Sequence, residues 1–214
     1  MALITYFTRA PRYKDITAND ILLIESYLSW QHENEIGSRY SCSTFKEWCG
    51  IPDEKLPNKE TIDFYKQFYT KKKMWIEGIG KQNCYSIFEQ LVRHVKTNQI
   101  FNWFIKNTMN DSPDTEYHEV TKEQLERLLH DCNKVKDTFT FLHWDDYMKM
   151  NRYAVNEDVA KEYLPLLENG GYFFGSKVYD EYYADQVIDV IQVVENILKT
   201  TDFEKETIYF NAIW

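Results

Sequence analysis

The chain has 214 residues, 43% of them apolar and 16% aromatic, enough to bury a sizeable core and too apolar for disorder. Its net charge of −9 is uneven: residues 1–110 carry 15 Lys/Arg against 12 Asp/Glu, and residues 111–214 carry 10 against 22. So acidic a second half makes nucleic acid a poor general partner, since phosphate contacts need cations. With only seven Gly and five Pro a Gly-rich β-sandwich is disfavoured, and no run approaches the eighteen apolar residues of a membrane span.

In chain order, residues 2–8 are apolar and β-prone and are closed by Pro11, which predicts an N-terminal strand. Thr17 precedes an amphipathic helix that carries Ile21, Ile24 and Leu28 at helical spacing and ends before Gly37. Thr44 and Glu47 match a capping box opening a short helix, and Asn58 caps a third helix with Ile62 and Tyr65 on its buried side. Residues 16–72 therefore read as a helical insertion in a core formed by 1–15 and 73–214. Lys71, Lys72 and Lys73 suit the negative end of a helix dipole, with a phosphate or nucleic-acid contact as the sharper alternative.

Beyond them, residues 73–78 predict a short strand. Residues 84–109 predict a helix, broken near Thr97-Asn98, with Ile87, Leu91 and Val95 as one stripe. Residues 110–120 read as a loop. Thr121 and Gln124 start a well-capped helix with Leu125, Leu128 and Cys132 on its apolar side. Residues 138–154 are ambiguous between a strand and a loop with a helical turn, and Asn156 caps a short helix reaching Leu164. Residues 171–174 predict a brief strand, after which Gly175 lets the chain reverse and Ser176 is a plausible cap. From Tyr179 to about Lys199, Tyr183, Val187, Val190, Val194 and Ile197 mark a long helix buried on more than one side. Finally, Ile208, Phe210, Ala212 and Trp214 alternate with polar residues, as in a half-buried C-terminal strand. The fold class that follows is α+β: a small mixed or antiparallel sheet, from strands at 2–8, 73–78, 171–174 and 207–214, packed against the long C-terminal helix.

The segments QIFNWFIKN, EVTKEQLERLL, YFFGSKVYDEYYADQVIDVIQVVENIL and TDFEKETIYFNAIW occur in an order that resembles a family of small proteins encoded by tailed bacteriophages. The likeness covers roughly 73–214 and the first strand. Asn102 stands where that family usually has His or Ala, and the ending FNAIW departs from its pattern. The family brings no established activity. The resemblance implies a phage accessory protein acting in the cytoplasm of an infected bacterium, and the absence of a recognisable secretory signal agrees.

Candidate site residues cluster at the aromatic elbow: Tyr172, Phe174, Gly175, Ser176, Tyr179 and Asp180 could line a sheet–helix seam or present a helix N-terminus to an anion. Lys71, Lys72, Lys73 and Trp144 are further candidates for ligand or partner contact. Asp180, Glu181, Asp185 and Asp189 form an acidic cluster in which Asp185 and Asp189 share a face, and His143 stands near Asp145 and Asp146. No motif completes a catalytic or metal signature, so neither a cofactor nor a metal is expected and an enzyme is disfavoured. Cys42, Cys49, Cys84 and Cys132 lack metal spacing and are expected as buried thiols. Three functions are compatible with these residues. A non-catalytic protein could bind a host factor, in counter-defence or host takeover. Alternatively, the chain is a module sequestering a nucleotide signal, or an undetected metal-dependent enzyme.

Overall fold

The computed structural model describes residues 2–38, 42–76, 79–168 and 174–214. The fold is α+β. In chain order it runs β1 (Ile4–Pro11), α1 (Ala18–Glu35), α2 (Phe45–Cys49), α3 (Lys59–Lys66), β2 (Thr70–Ile76), β3 (Gly80–Ser86), β4 (Glu89–Val95) and α4 (Asn98–Asn107). It continues through β5 (His118–Val120), α5 (Lys122–Lys136), β6 (Thr140–Asp145), β7 (Met150–Ala154), α6 (Glu157–Tyr163), α7 (Glu181–Thr200) and β8 (Glu206–Ile213). Among the described residues four strands form the main sheet in the order β4-β1-β8-β5, and β2-β3 and β6-β7 are separate antiparallel hairpins.

Contacts divide the chain into two units. The first comprises residues 1–7, 91–203 and 210–214; the second comprises 8–90 and 204–209. The core of the first unit is aromatic. Phe104 of α4 stacks on Phe210 of β8 with ring centroids 3.8 Å apart, and Phe7 of β1 meets both edge-on at 5.6 and 5.5 Å. Helix α7 packs on α5, on β7 and, through Asp189 against His94 of β4, on the sheet. Its apolar repeat is buried as the spacing predicts, with Tyr183, Val187, Val190, Val194 and Ile197 all inside. The Tyr183 hydroxyl donates to the Leu164 carbonyl at 2.8 Å. Helix α5 begins with the predicted capping box, Thr121 and Gln124 bonding reciprocally.

In the second unit α1 opens with a Thr17–Asp20 capping box and buries Ile21, Ile24 and Leu28. Asn58 caps α3, and the Tyr65 hydroxyl donates to the Pro11 carbonyl. The stretch 16–72 lies wholly within this unit. Glu25 of α1 is a half-buried pin between helix and hairpin: its carboxylate accepts from the Ile87 amide at 2.7 Å and the Ser86 hydroxyl at 2.9 Å. Burial raises its pKa above the usual carboxylate value, against the lowering effect of these bonds.

Several expectations need correction. Residues 84–109 are not one broken helix. They form β3, a turn at Ile87 and Phe88, β4 and then α4, the break falling at Thr97. The spacing of Ile87, Leu91 and Val95 suits a helix, but strand pairing supplies the same backbone hydrogen bonds where β-branched residues pack well. The lysine run is no helix end, since it lies inside β2. Nor does β2 join the main sheet. Three consecutive lysines in a buried sheet would strand charge away from water, and the shorter β4 and β5 flank β1 and β8 instead. The C-terminal strand is buried on both faces: Thr207, Tyr209 and Asn211 are as enclosed as Ile208 and Phe210. Residues 110–120 include β5, and 138–154 resolve into a hairpin. Thr44 caps α2, but the Glu47 carboxylate accepts from the Ser43 hydroxyl, so the box is not reciprocal in the expected way. Of the four thiols only Cys132 is buried; Cys42, Cys49 and Cys84 are half-buried, and all are free. The expected strand at 171–174 falls, apart from Phe174, outside the described residues.

Two measurements test this packing. Tyr183→Ala should cost about 3–5 kcal/mol in denaturant unfolding, and Tyr183→Phe about 1–2 kcal/mol, because the Leu164 carbonyl then lacks its donor. For Glu25, whose folded pKa is raised, the protonated form favours the fold. Its stabilising share is complete below the ordinary value of 4.5 and is lost as pH rises through the raised one. Urea midpoints across this window should fall with pH in the wild type and flatten in Glu25→Gln.

Candidate functional site

The elbow that follows residue 173 is fixed by backbone contact before it offers any side chain. Gly175 has φ of +112°, and a Cβ there would stand 2.3 Å from the Lys96 carbonyl oxygen. Asn98 reinforces the junction by donating from Nδ2 to the Ser176 carbonyl at 2.8 Å. The Ser176 hydroxyl is turned into a local loop, accepting from the Val178 amide and donating to its carbonyl. The cap of α7 is Asp180, not Ser176, with its Oδ1 accepting from the Tyr183 amide at 3.0 Å. A carboxylate already satisfying the first turn opposes an anion there, so the N-terminus of α7 is a poor anion site.

The rings of the elbow have a different use. Phe174 and Tyr179 line a cavity of about 730 Å³ together with Phe101, Asn102, Ile105 and Lys106 of α4, the segment Pro165–Glu168, Lys161, Pro113 and Trp214. Trp214 lies 5.1 Å from the Phe101 ring and 6.4 Å from the Phe174 ring, centroid to centroid. Two side chains hold the wall in place. Asn102 donates to the carbonyls of Pro165 at 2.9 Å and Leu166 at 3.4 Å, and the Tyr179 hydroxyl accepts from the Leu166 amide at 3.2 Å. Lys161 bonds Glu157 one turn away at 2.7 Å. The result is a ring-rich cavity with Lys106, Lys161 and Glu168 among its lining residues, the mix of apolar walls and a few polar groups that suits a small ligand.

The acidic candidates are committed to structure. Arg152, almost fully buried, holds Asp145 through two bonds of 3.0 and 2.8 Å and also donates to Asp185 of α7, fastening the β6–β7 hairpin to that helix. Burial raises the Asp185 pKa despite this partner. His94, with Nε2 2.8 Å from the Asp189 carboxylate, lowers the pKa of that group. Asp185 and Asp189 thus serve different partners instead of one cation. Among the described residues no group of three or more His, Cys, Asp or Glu is placed to hold a metal ion. Asp145 also accepts from the amides of Tyr147 and Met148, so His143, Trp144 and Asp145 belong to the end of β6 and Asp146 to the hairpin turn that follows.

Of the sequence candidates, then, Phe174 and Tyr179 meet in the cavity, while Gly175, Ser176 and Asp180 build its frame. Tyr172 lies outside the described residues. Trp144 sits on β6, and Lys71, Lys72 and Lys73 belong to the other unit. Sequence reasoning missed Phe101, Ile105, Lys106, Lys161 and Trp214 as wall residues. The helical stripe through Ile100, Trp103 and Phe104 marks the buried face of α4 and gives no sign that its flank borders a void.

No family model, curated protein or solved structure matches the chain. Among the described residues no helix is long and apolar enough to cross a membrane.

Gly175→Ala should lose about 1–3 kcal/mol from backbone strain alone, with further loss from the contact at Lys96. Ser176→Ala should stay within about 1 kcal/mol. Chemical unfolding of the two variants checks both values.

Proposed function

We propose that the chain is a non-catalytic accessory protein that works by binding another protein, a host factor in the cytoplasm of an infected bacterium. One observation carries this reading: the β6–β7 hairpin turns its large apolar side chains outward. The register pairs Phe141 with Tyr153 and His143 with Arg152, leaving Leu142 as an extra residue, a β-bulge. The bulge moves Phe141 and Trp144, three positions apart, onto the face opposite Arg152. Leu142 is exposed as well, and the turn adds Met148 and Tyr147, the latter 92% exposed. Because Arg152 clamps the hairpin to α7, this surface is presented on a fixed support and is not a loose loop. Aromatic residues and Met are the side chains enriched at the centres of protein interfaces, and clustered exposed apolar groups mark such surfaces.

The elbow cavity favours a second reading, a module that sequesters a small aromatic anion such as a nucleotide signal. Its ring walls would take the base, and Lys106 and Lys161 its phosphate. Saturable heat on titrating cyclic or linear nucleotides, abolished by Trp214→Ala, would support that reading over the first.

For the protein-binding reading, a host protein retained in stoichiometric amount should be purified and titrated against the chain. Tyr147→Ala and Trp144→Ala should each weaken that complex about tenfold or more, with an unchanged melting temperature. Wild-type affinity in both variants would overturn the assignment of the hairpin. So would a hairpin-dependent homodimer with no host partner.

A further inference from the structure

The lysine run in β2 works on two sides, because successive residues of a strand point to opposite faces. Lys72 turns inward, and its ammonium donates to the Ile87 carbonyl. Lys71, Lys73 and Trp75 turn outward, and the register sets Tyr85, Asn83 and Lys81 opposite them in β3. All six side chains are exposed. This face therefore carries three ammonium groups, two aromatic rings and an amide, with no carboxylate among the six. Alternate side chains along a strand recur every ~6.7 Å, close to the spacing of successive phosphates in an extended single strand.

The rings are placed for stacking. Trp75 is 41% exposed and Tyr85 44%, so each leaves ring surface to solvent in the midst of the lysines. At the Tyr85 end the face runs into a cavity of about 190 Å³. Its lining includes Tyr85, Tyr69 and His32, the last two with ring centroids 5.6 and 4.9 Å from Tyr85, and Gln31, Glu35 and Lys66. An aromatic-walled hollow with hydrogen-bonding groups, next to a row of cations, is the arrangement that takes an unstacked base beside its phosphate.

We infer that the outer face of the β2–β3 hairpin, with the adjoining cavity, binds single-stranded nucleic acid. Lys71, Lys73 and Lys81 neutralise phosphates, Trp75 stacks one base, and the cavity admits another whose edge meets Gln31 and Glu35. A duplex hides its base faces and would leave both rings unused. An acidic protein segment would pair with the lysines, but its repeat does not by itself bring a ring to Trp75 beside every charge, as a nucleotide does. The net charge of −9 opposes wide, unselective binding, so the contact is confined to this local face and is strongly salt-dependent. This site lies in the second unit and is independent of the β6–β7 reading.

The test uses the full chain and fluorescein-labelled oligouridylate and oligothymidylate of about 12 nucleotides, within the site sizes of such surfaces. Anisotropy at low salt should saturate, and log K should fall with log salt with a slope of about −2, as three phosphate contacts require. Lys71→Glu/Lys73→Glu should weaken binding by about tenfold or more, and Lys81→Glu on the other strand gives an independent reading. Trp75→Ala should cost about fivefold or more, the loss of one stacked base. Absence of saturable binding by the wild type, or equal affinity of the charge-reversed variants, would overturn the inference. It would equally fall if a duplex or polyglutamate bound as tightly as the single strand and Trp75→Ala had no effect, which would mark a general polyanion surface.

Discussion

The stacking of Phe104 on Phe210, with Phe7 edge-on to both, is the contact on which the site-bearing unit depends. It joins a strand from the start of the chain, a helix from its middle and a strand from its end. Each such ring pair adds roughly 0.5–1.5 kcal/mol beyond the apolar area it buries. The geometry also propagates. With Phe104 turned into the sheet, the flank of α4 that holds Phe101, Asn102 and Ile105 borders the elbow cavity. Trp214, four residues beyond Phe210 on the same chain end, is carried against Phe101. The ring cluster that closes the core thereby positions one wall of the cavity.

Charge plays a mostly structural part inside this protein. The carboxylates that crowd the sequence around α7 divide their work. Asp180 caps the helix, Asp185 meets Arg152, and Asp189 meets His94. Glu25 does the same for the second unit by holding the turn between β3 and β4. Each of these four carboxylates sits against a donor or a basic side chain, which offsets the hydration it gives up on packing. What remains for recognition is a set of rings and lysines outside those pairs.

Two hairpins stand apart from the main sheet, one in each unit, and both carry exposed aromatic side chains. They differ in what accompanies the rings. On β6–β7 a bulge groups Phe141 with Trp144 near Tyr147 and Met148, an apolar surface suited to a protein. On β2–β3 each ring faces a lysine across the ribbon, Tyr85 opposite Lys71 and Trp75 opposite Lys81, a surface of the kind proposed for phosphates and bases. The same device, side chains alternating across a two-stranded ribbon, serves two chemistries according to which residues fall on the outer face. The proposed roles thus need no catalytic group.

Helices were legible from the chain alone where a cap announced them. Thr17, Asn58, Thr121 and Asn156 each bond the amide three residues on, because that interaction is local and needs no distant partner. The buried stripe of α7 was equally legible, since its period lies within one element. Strand partners were not: Ile87, Leu91 and Val95 fit a helix until pairing assigned them to a turn and a strand. Lys71–Lys73 illustrate the same limit, for whether a lysine faces in or out depends on a register set by β3. In the candidate site, Phe174 and Tyr179 could be named in advance, whereas Phe101, Lys106, Lys161 and Trp214 could not. Local spacing by itself determined the caps, the long apolar helix and the α+β class. Tertiary structure alone decided sheet membership, the cavity and the two exposed hairpin faces, because these depend on residues distant in the chain meeting in space.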